Sequence, residues 1–258
     1  MDRLQLDKNA KLTGRVYFKD EVMWLGLSGS GASFTFDGTK LVLKLKGDNI
    51  AVGENPIDYA RIAVYVDGKR VVDEMIDCAE KEVTVIDRTE NAQSVVEIIK
   101  LSESPMSAVG VEAFAEGSAE ALPEKPLKIE FIGDSITCGY GVDDEDENHQ
   151  FTTATEDVTK AYAYKTAKAL DAEYSMFSAS GYGIVSGYTE GDEPISEQTI
   201  PQFYCSYGFS RGNFAGTAPQ DIPWDFSKYI PQIIVINLGT NDDSYCRDYK
   251  DRQAVFSK

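Results

Sequence analysis

The run Lys128-Ile129-Glu130-Phe131-Ile132 stops at Gly133 and then presents Asp134 and Ser135. A short apolar run bounded by Pro126 and Gly133 suits a buried strand. The segment that follows, 136–141, carries Gly139 and Gly141 and fits a loop or the opening turn of a helix. At such a junction backbone N–H groups are free and the helix dipole favours developing negative charge. Those are the needs of a serine nucleophile whose substrate becomes an oxyanion. Asp and Ser are equally the usual helix N-cap residues, so the tripeptide alone fits a simple cap as well. It also departs from the Gly-x-Ser-x-Gly nucleophile elbow, because position 137 is Thr.

Two further blocks resemble it in placement. A second apolar run, Tyr174 to Ser178, leads into Ser180-Gly181-Tyr182-Gly183. A third, Ile233 to Leu238, leads into Gly239-Thr240-Asn241-Asp242. Between the first two, Thr159 to Leu170 puts Ala163, Thr166, Ala167 and Leu170 on one helical face. Strand–helix–strand order implies a doubly wound parallel sheet, in which function gathers at the carboxyl ends of the strands. All three polar, glycine-bearing blocks lie at such ends.

The elements before residue 120 have another character. Arg15 to Phe18 opens a strand. Ala32 to Phe36 alternates, is expected to turn at Asp37-Gly38, and resumes as Lys40 to Lys46 with lysines on one face. Ile62 to Val66 runs into Asp67-Gly68 and resumes at Arg70 to Val72; Asp-Gly pairs suit hairpin turns. Glu82 to Ile86, Ser94 to Lys100 and Val109 to Phe114 supply more strands. Short strands at this spacing predict an all-β sandwich or jelly roll. The small, polar stretch 117–126 reads as the connection. The expected architecture is a β-sandwich domain at 1–122 followed by an α/β domain at 123–258.

The formal net charge is −18, from 43 acidic and 25 basic residues. Such a surface repels nucleic acid and anionic membranes, and neither is expected as a partner. No run is long enough to span a bilayer. The four cysteines are scattered without metal-type spacing. The acidic run Asp143 to Glu147 reads as a solvated loop, so no metal and no cofactor are expected. The polar start of the chain lacks a secretory signal, which predicts a cytoplasmic protein, or a secreted one if a signal has been trimmed. The interval 201–231 is rich in aromatics, among them Tyr207 and Trp224. They serve either as a sugar platform or to pack the loop onto the sheet.

Taken together, Gly133-Asp134-Ser135, Ser180-Gly181 and Gly239-Thr240-Asn241-Asp242 resemble three blocks of the SGNH (GDSL-type) hydrolases. With a β-sandwich in front, and with 135–141 and Trp224-Asp225-Phe226, the chain looks like carbohydrate esterase family 2. That resemblance implies an N-terminal jelly roll plus a doubly wound SGNH hydrolase domain. It also implies an esterase that removes O-acetyl groups from sugars or plant polysaccharides. By motif, Ser135 would be the nucleophile, with Gly181 and Asn241 completing the oxyanion hole. Tyr140, Tyr182, Tyr207 and Trp224 are the expected substrate contacts, and an acetylated sugar or oligosaccharide the expected partner. Asp134 reads as a structural residue of the turn.

One departure stands out. The family takes its base from a histidine in a late Asp-x-x-His block, which this sequence lacks. Its one histidine, His149, lies in the polar loop after the nucleophile's strand and is not expected to replace it. The ending 253–258 looks like an interrupted helix, so the α/β domain is expected to be C-terminally incomplete. A separate C-terminal fragment would then complete the fold, and the fragment alone is expected to be weak or inactive. A non-catalytic carbohydrate-binding protein, and a lipase or thioesterase of the same superfamily, are the alternatives.

Overall fold

The structure, a computed structural model, describes residues 1–191 and 193–247; the expected helix at 253–258 lies outside them. The first half is β1 (Asp2–Leu4), α1 (Leu6–Asn9), β2 (Lys11–Thr13), β3 (Val16–Lys19), β4 (Val22–Leu25), β5 (Gly31–Gly47), β6 (Ala60–Val66), β7 (Lys69–Ile76), β8 (Glu80–Lys100) and β9 (Val109–Ala121). All nine strands join one hydrogen-bonded network in the order β3-β4-β9-β5-β8-β6-β7, with β1 on β9 and β2 on β5.

The long strand β5 explains much of this layout. Phe34 and Phe36 are fully buried, and so are Leu41, Leu43 and Leu45. The buried set moves from even to odd positions, which a regular strand cannot do. A bulge between Gly38 and Lys40, against both β8 and β9, supplies the extra residue. The Asp37-Gly38 pair is therefore no hairpin turn. Its sequence cue is real but the close neighbour is another strand: a Cβ on Gly38 would lie 2.3 Å from the Glu116 carbonyl. The other pair, Asp67-Gly68, does form the β6–β7 hairpin, both residues at positive φ. The two runs expected at 82–86 and 94–100 likewise prove to be one strand, β8.

The connection is shorter than the composition of 117–126 suggests. Residues Gly117 to Ala121 belong to β9 and pair with β5, the last of them Ala121 with Phe34. Small side chains there allow close backbone approach rather than flexibility.

Beyond it come β10 (Lys128–Gly133), α2 (Ser135–Cys138), α3 (Tyr162–Ala169), β11 (Glu173–Ser178), α4 (Ile200–Phe203), β12 (Ile233–Asn237) and α5 (Thr240–Cys246). The three strands are parallel in the order β11-β10-β12. Strands β10 and β11 are buried along nearly their whole length, as parallel strands covered on both faces are, although Glu130, Glu173 and Ser175 interrupt their apolar runs. The helix expected over 159–170 forms as a 3₁₀ turn, Val158–Lys160, followed by α3, which buries Ala163 and Ala167.

The two sheets share apolar contacts. Ala63, Ile99 and Leu101 cluster with Ile129, Phe131, Tyr174 and Met176. Leu27 clusters with Ile132, Phe177 and Phe209. Arg15, fully buried, crosses the same boundary. It donates to the carbonyls of Tyr204 at 2.6 Å and Ser206 at 2.5 Å, and lies over the Phe177 ring at 4.4 Å. Its ion pair to Glu130 is 3.5 Å. The second sheet, and the loops at its carboxyl edge, are thereby held against the first.

Candidate active site

Register places the three blocks. Gly133 of β10 pairs with Ser178 of β11 on one side and with Asn237 of β12 on the other. The strands therefore end level, and the segments carrying Ser135, Gly181 and Asn241 leave from the same edge. Gly133 must be glycine, since a Cβ there would sit 2.0 Å from Thr137 Oγ1. Asp134 is the N-cap of α2, its Oδ1 accepting from the Ile136 N–H at 3.0 Å. Ser135 opens the helix and is half-buried. Burial raises the Asp134 carboxyl above its ordinary range, and the nearby Asp242 adds to this.

The second block is held from two sides. Ser180 N–H donates to Glu103 Oε2 at 2.5 Å. Gly181 has φ +79° and faces open space, a conformation that side chains rarely adopt. The Tyr182 carbonyl accepts from Asn241 Nδ2 at 2.8 Å. Asp242, fully buried, accepts at Oδ1 from the N–H groups of Ile184, Val185 and Ser186 at 2.9, 2.7 and 3.1 Å. Gly183 makes room for that carboxylate, for a Cβ would meet Asp242 Oδ2 at 2.6 Å. The Gly-Thr-Asn-Asp block thus does two jobs through neighbouring residues: Asn241 grips the Tyr182 peptide, and Asp242 folds the loop after it.

The aromatic expectations divide. Tyr140 is about half exposed, stacks on Phe151 at 4.0 Å, and donates its N–H to the Ser135 carbonyl. It stands beside Ser135. Tyr182 follows Gly181 and packs on Phe203 and Phe209. Tyr207 is buried, its hydroxyl donating to the Trp24 carbonyl at 2.7 Å, and cannot meet a substrate. Trp224 lines a groove with Val16, Tyr17, Lys228 and Tyr229. The Tyr229 hydroxyl binds the Ile129 carbonyl near the amino end of β10, whereas Ser135 follows its carboxyl end. The expectation for Tyr207 is corrected accordingly: side-chain type named an aromatic, and packing against the first sheet turned its ring inward, whereas Trp224 stays partly open in its groove. His149 is exposed and pairs with Asp144 and Asp146 in its own acidic loop.

A buried polar cluster behind the site escaped the sequence reading. Glu103 and Glu156 are both fully buried, and their carboxylate oxygens lie within 4.8 Å of each other and of Cys138 Sγ. Glu156 Oε2 accepts from the Glu103 N–H at 3.0 Å. Lys100 Nζ donates to the carbonyls of Ser102 at 2.6 Å and Glu103 at 3.0 Å. Burial lowers Lys100 to about 8 and pushes Glu156 well above the usual carboxylate range, the second helped by Glu103. Glu103 is raised by burial too, but the Ser180 N–H and Lys100 oppose the shift. Of the two carboxyls, Glu156 is raised the further. The only sequence cue was a lysine ending the apolar run Val95-Val96-Glu97-Ile98-Ile99.

Comparison with known proteins agrees with the family that the motifs resemble. Residues 12–126 match the family described as Carbohydrate esterase 2 N-terminal. The chain is 33% identical to the Acetivibrio thermocellus protein "Cellulase/esterase CelE" over 84% of its own length and 24% of that protein. It is 29% identical to an "Acetylxylan esterase / glucomannan deacetylase" of Cellvibrio japonicus, over 92% of this chain and 62% of that one. It therefore spans less than two thirds of these curated relatives. A family two carbohydrate esterase from Clostridium thermocellum, solved in complex with cellohexaose, superposes with a TM-score of 0.74 at 29% identity, covering 91% of this chain and 67% of that one. The acetyl xylan esterase Est2A of Butyrivibrio proteoclasticus shares the fold, with a TM-score of 0.80 at 21% identity over 95% of this chain and 66% of that one.

Proposed function

The chain is related to the family 2 carbohydrate esterases, and from that premise we propose that it removes O-acetyl groups from sugars or plant polysaccharides, through an acetyl-enzyme on Ser135. The observation that carries this reading is the level ending of β10, β11 and β12, with Asn241 bonded to the loop of Gly181. Ser135 Oγ attacks the acetyl carbonyl, and the sugar oxygen leaves with a proton. Water then adds to the acetyl-enzyme, releasing acetate and restoring the serine. In both steps charge builds on the carbonyl oxygen. Backbone N–H groups of Ser135 and Gly181, with the Asn241 amide, are the proposed donors, preset so that little reorganisation is needed. Tyr140 and Tyr182 flank the two blocks and offer apolar faces to a sugar ring.

In this proposal residues 1–122 form the sandwich, or jelly-roll, domain, and 123–258 the SGNH domain. The base is a histidine from outside this chain, since His149 is engaged by Asp144 and Asp146. The faces of β12 leave room for further packing there: Ile233, Ile234 and Ile236 are exposed among the described residues. A non-catalytic sugar-binding role is the second reading, favoured by the placement of His149. No helix among the described residues is long and apolar enough to cross a membrane.

The test is acetate release from acetylated xylan and glucomannan by the complete natural polypeptide and its Ser135→Ala variant. Turnover abolished in the variant, with oligosaccharide binding retained in calorimetry, is expected. Equal turnover by both would remove Ser135 from the chemistry. Binding without turnover by either would establish the second reading.

A further inference from the structure

Glu103 belongs to the first half of the chain, three residues beyond β8, yet its one oxygen Oε2 reaches both motif segments of the second half. It accepts from Ser180 N–H at 2.5 Å, directly before Gly181, and from Cys138 Sγ at 3.8 Å, three residues after Ser135 on α2. The Cys138 thiol also contacts Ser178 Oγ at 3.3 Å, at the end of β11. The carboxylate is itself anchored, since the Glu103 N–H is held by Glu156 and its carbonyl by Lys100. Among the described residues its other oxygen, Oε1, accepts no hydrogen bond. A fully buried, half-partnered carboxylate is expensive to keep. In its own half its counter-charge is the buried Lys100, which leaves the contact across to Ser180 unexplained by the first sheet.

We propose that Glu103 is a positioning residue for the Ala179–Ser180 peptide, directly before the one that carries the Gly181 N–H, by which the N-terminal β-sheet half sets the oxyanion donor relative to the nucleophile helix. The inference rests on the reading of Ser135 and Gly181 given above. With the Ala179–Ser180 plane gripped at the Ser180 N–H, the next plane, which carries the Gly181 N–H, starts from a fixed neighbour and is aimed before substrate arrives. Gly181, at φ +79° and in open space, has no side chain to fix that plane. The fixing must come from its neighbours: Glu103 holds the Ser180 N–H before it and Asn241 the Tyr182 carbonyl after it, while the Tyr188 N–H binds the Gly181 carbonyl at 2.8 Å.

The proposal separates acceptor geometry from bulk. Glu103→Met keeps the length and removes the acceptor. Glu103→Gln keeps an acceptor oxygen for the Ser180 N–H. In the complete natural polypeptide, Glu103→Met is expected to lower kcat on acetylated oligosaccharide by roughly 10²-fold, the cost of an ångström-scale misplacement. KM should stay within about twofold, because uniform binding is untouched. Glu103→Gln should recover most of kcat. Active sites are counted with a fluorophosphonate, so that loss of folded protein is not mistaken for loss of rate. If Glu103→Met does not fold, Glu103→Asp, which withdraws the acceptor by one methylene, takes its place with the same expectation. An unchanged kcat in Met or Asp, an equal loss in Gln, or a change confined to KM would overturn the proposal. Turnover surviving in Ser135→Ala would instead overturn the reading beneath it.

Discussion

Asn241 donates from Nδ2 to the Tyr182 carbonyl at 2.8 Å, so the third motif block holds the second by a side-chain amide. An amide has two N–H bonds. With one committed to Tyr182, the other is oriented by the same contact, and the side chain is preset rather than searching. The proposed oxyanion hole is thus assembled by mutual contacts among its own parts.

Replacing Asn241 with Ala removes both the donor and the grip on the loop. The expected loss is about 3–4 kcal/mol of transition-state stabilisation, or 10²–10³-fold in kcat, with little change in KM. Asn241→Asp should be at least as damaging, since a carboxylate cannot donate to the Tyr182 carbonyl and would repel an oxyanion. Steady-state kinetics on an acetyl ester decide it; an Asp variant retaining wild-type kcat would exclude the donor role.

Asp242 is predicted to act on the loop and not on the chemistry. Its Oδ1 accepts three successive N–H groups, Ile184 to Ser186. Asp242→Ala leaves them without their acceptor, at about 1–3 kcal/mol for each one that stays buried and unsatisfied. Hydrogen exchange of residues 184–186 should quicken in that variant. Asp242→Asn keeps an oxygen in place and should protect the loop to an intermediate degree. Unchanged exchange in the Ala variant would show that the loop is held by other contacts.

Arg15 gives a stability prediction independent of any catalytic reading. Its guanidinium serves two carbonyls and Glu130, and burial pulls its pKa down while Glu130 pulls it up. Arg15→Met strands Glu130, only 5% exposed, with the Tyr204 hydroxyl as its remaining side-chain partner. Removing one member of a buried pair costs about 3–5 kcal/mol. Urea unfolding should show that loss, and adding Glu130→Gln should return part of it. Full additivity of the two single changes would deny that the residues interact.

What the sequence disclosed follows range of interaction. Gly133-Asp134-Ser135 could be read because strand, glycine stop and cap all lie within a few residues. The level ending of the three strands followed from the repeated apolar run and polar stop. Asp37-Gly38 was misread because a bulge and a turn use the same residues, and only Gly117 on the partner strand tells them apart. The arm of Glu103 could not be read at all, since it joins positions 103 and 180 with no local pattern to mark either. Tyr207 failed for a related reason: an aromatic in a long loop has no period from which to infer its face.

The buried acid pair predicts how stability responds to pH. Glu156 is pushed well above its ordinary value of 4.5 by burial first, and then by the Glu103 carboxylate. Above that ordinary value the unfolded chain has released a proton that the folded chain still holds. Stability contributed by this group therefore falls as pH rises, by up to about 1.4 kcal/mol per unit, until the folded pKa is passed. Glu156→Gln has no proton to lose, and its side-chain oxygen can still accept the Glu103 N–H. Lys100, lowered to about 8 and present in both proteins, opposes the trend at alkaline pH, and losing the Glu156 carboxyl would lower it further. Glu103 and Arg61, which face the same group, are also common to both. Urea midpoints from about pH 5 to about pH 7 should show the variant gaining steadily on the wild type. A gap that stays constant over that range would mean that Glu156 is ionised in the folded protein, with Lys100 neutralising it instead of a bound proton.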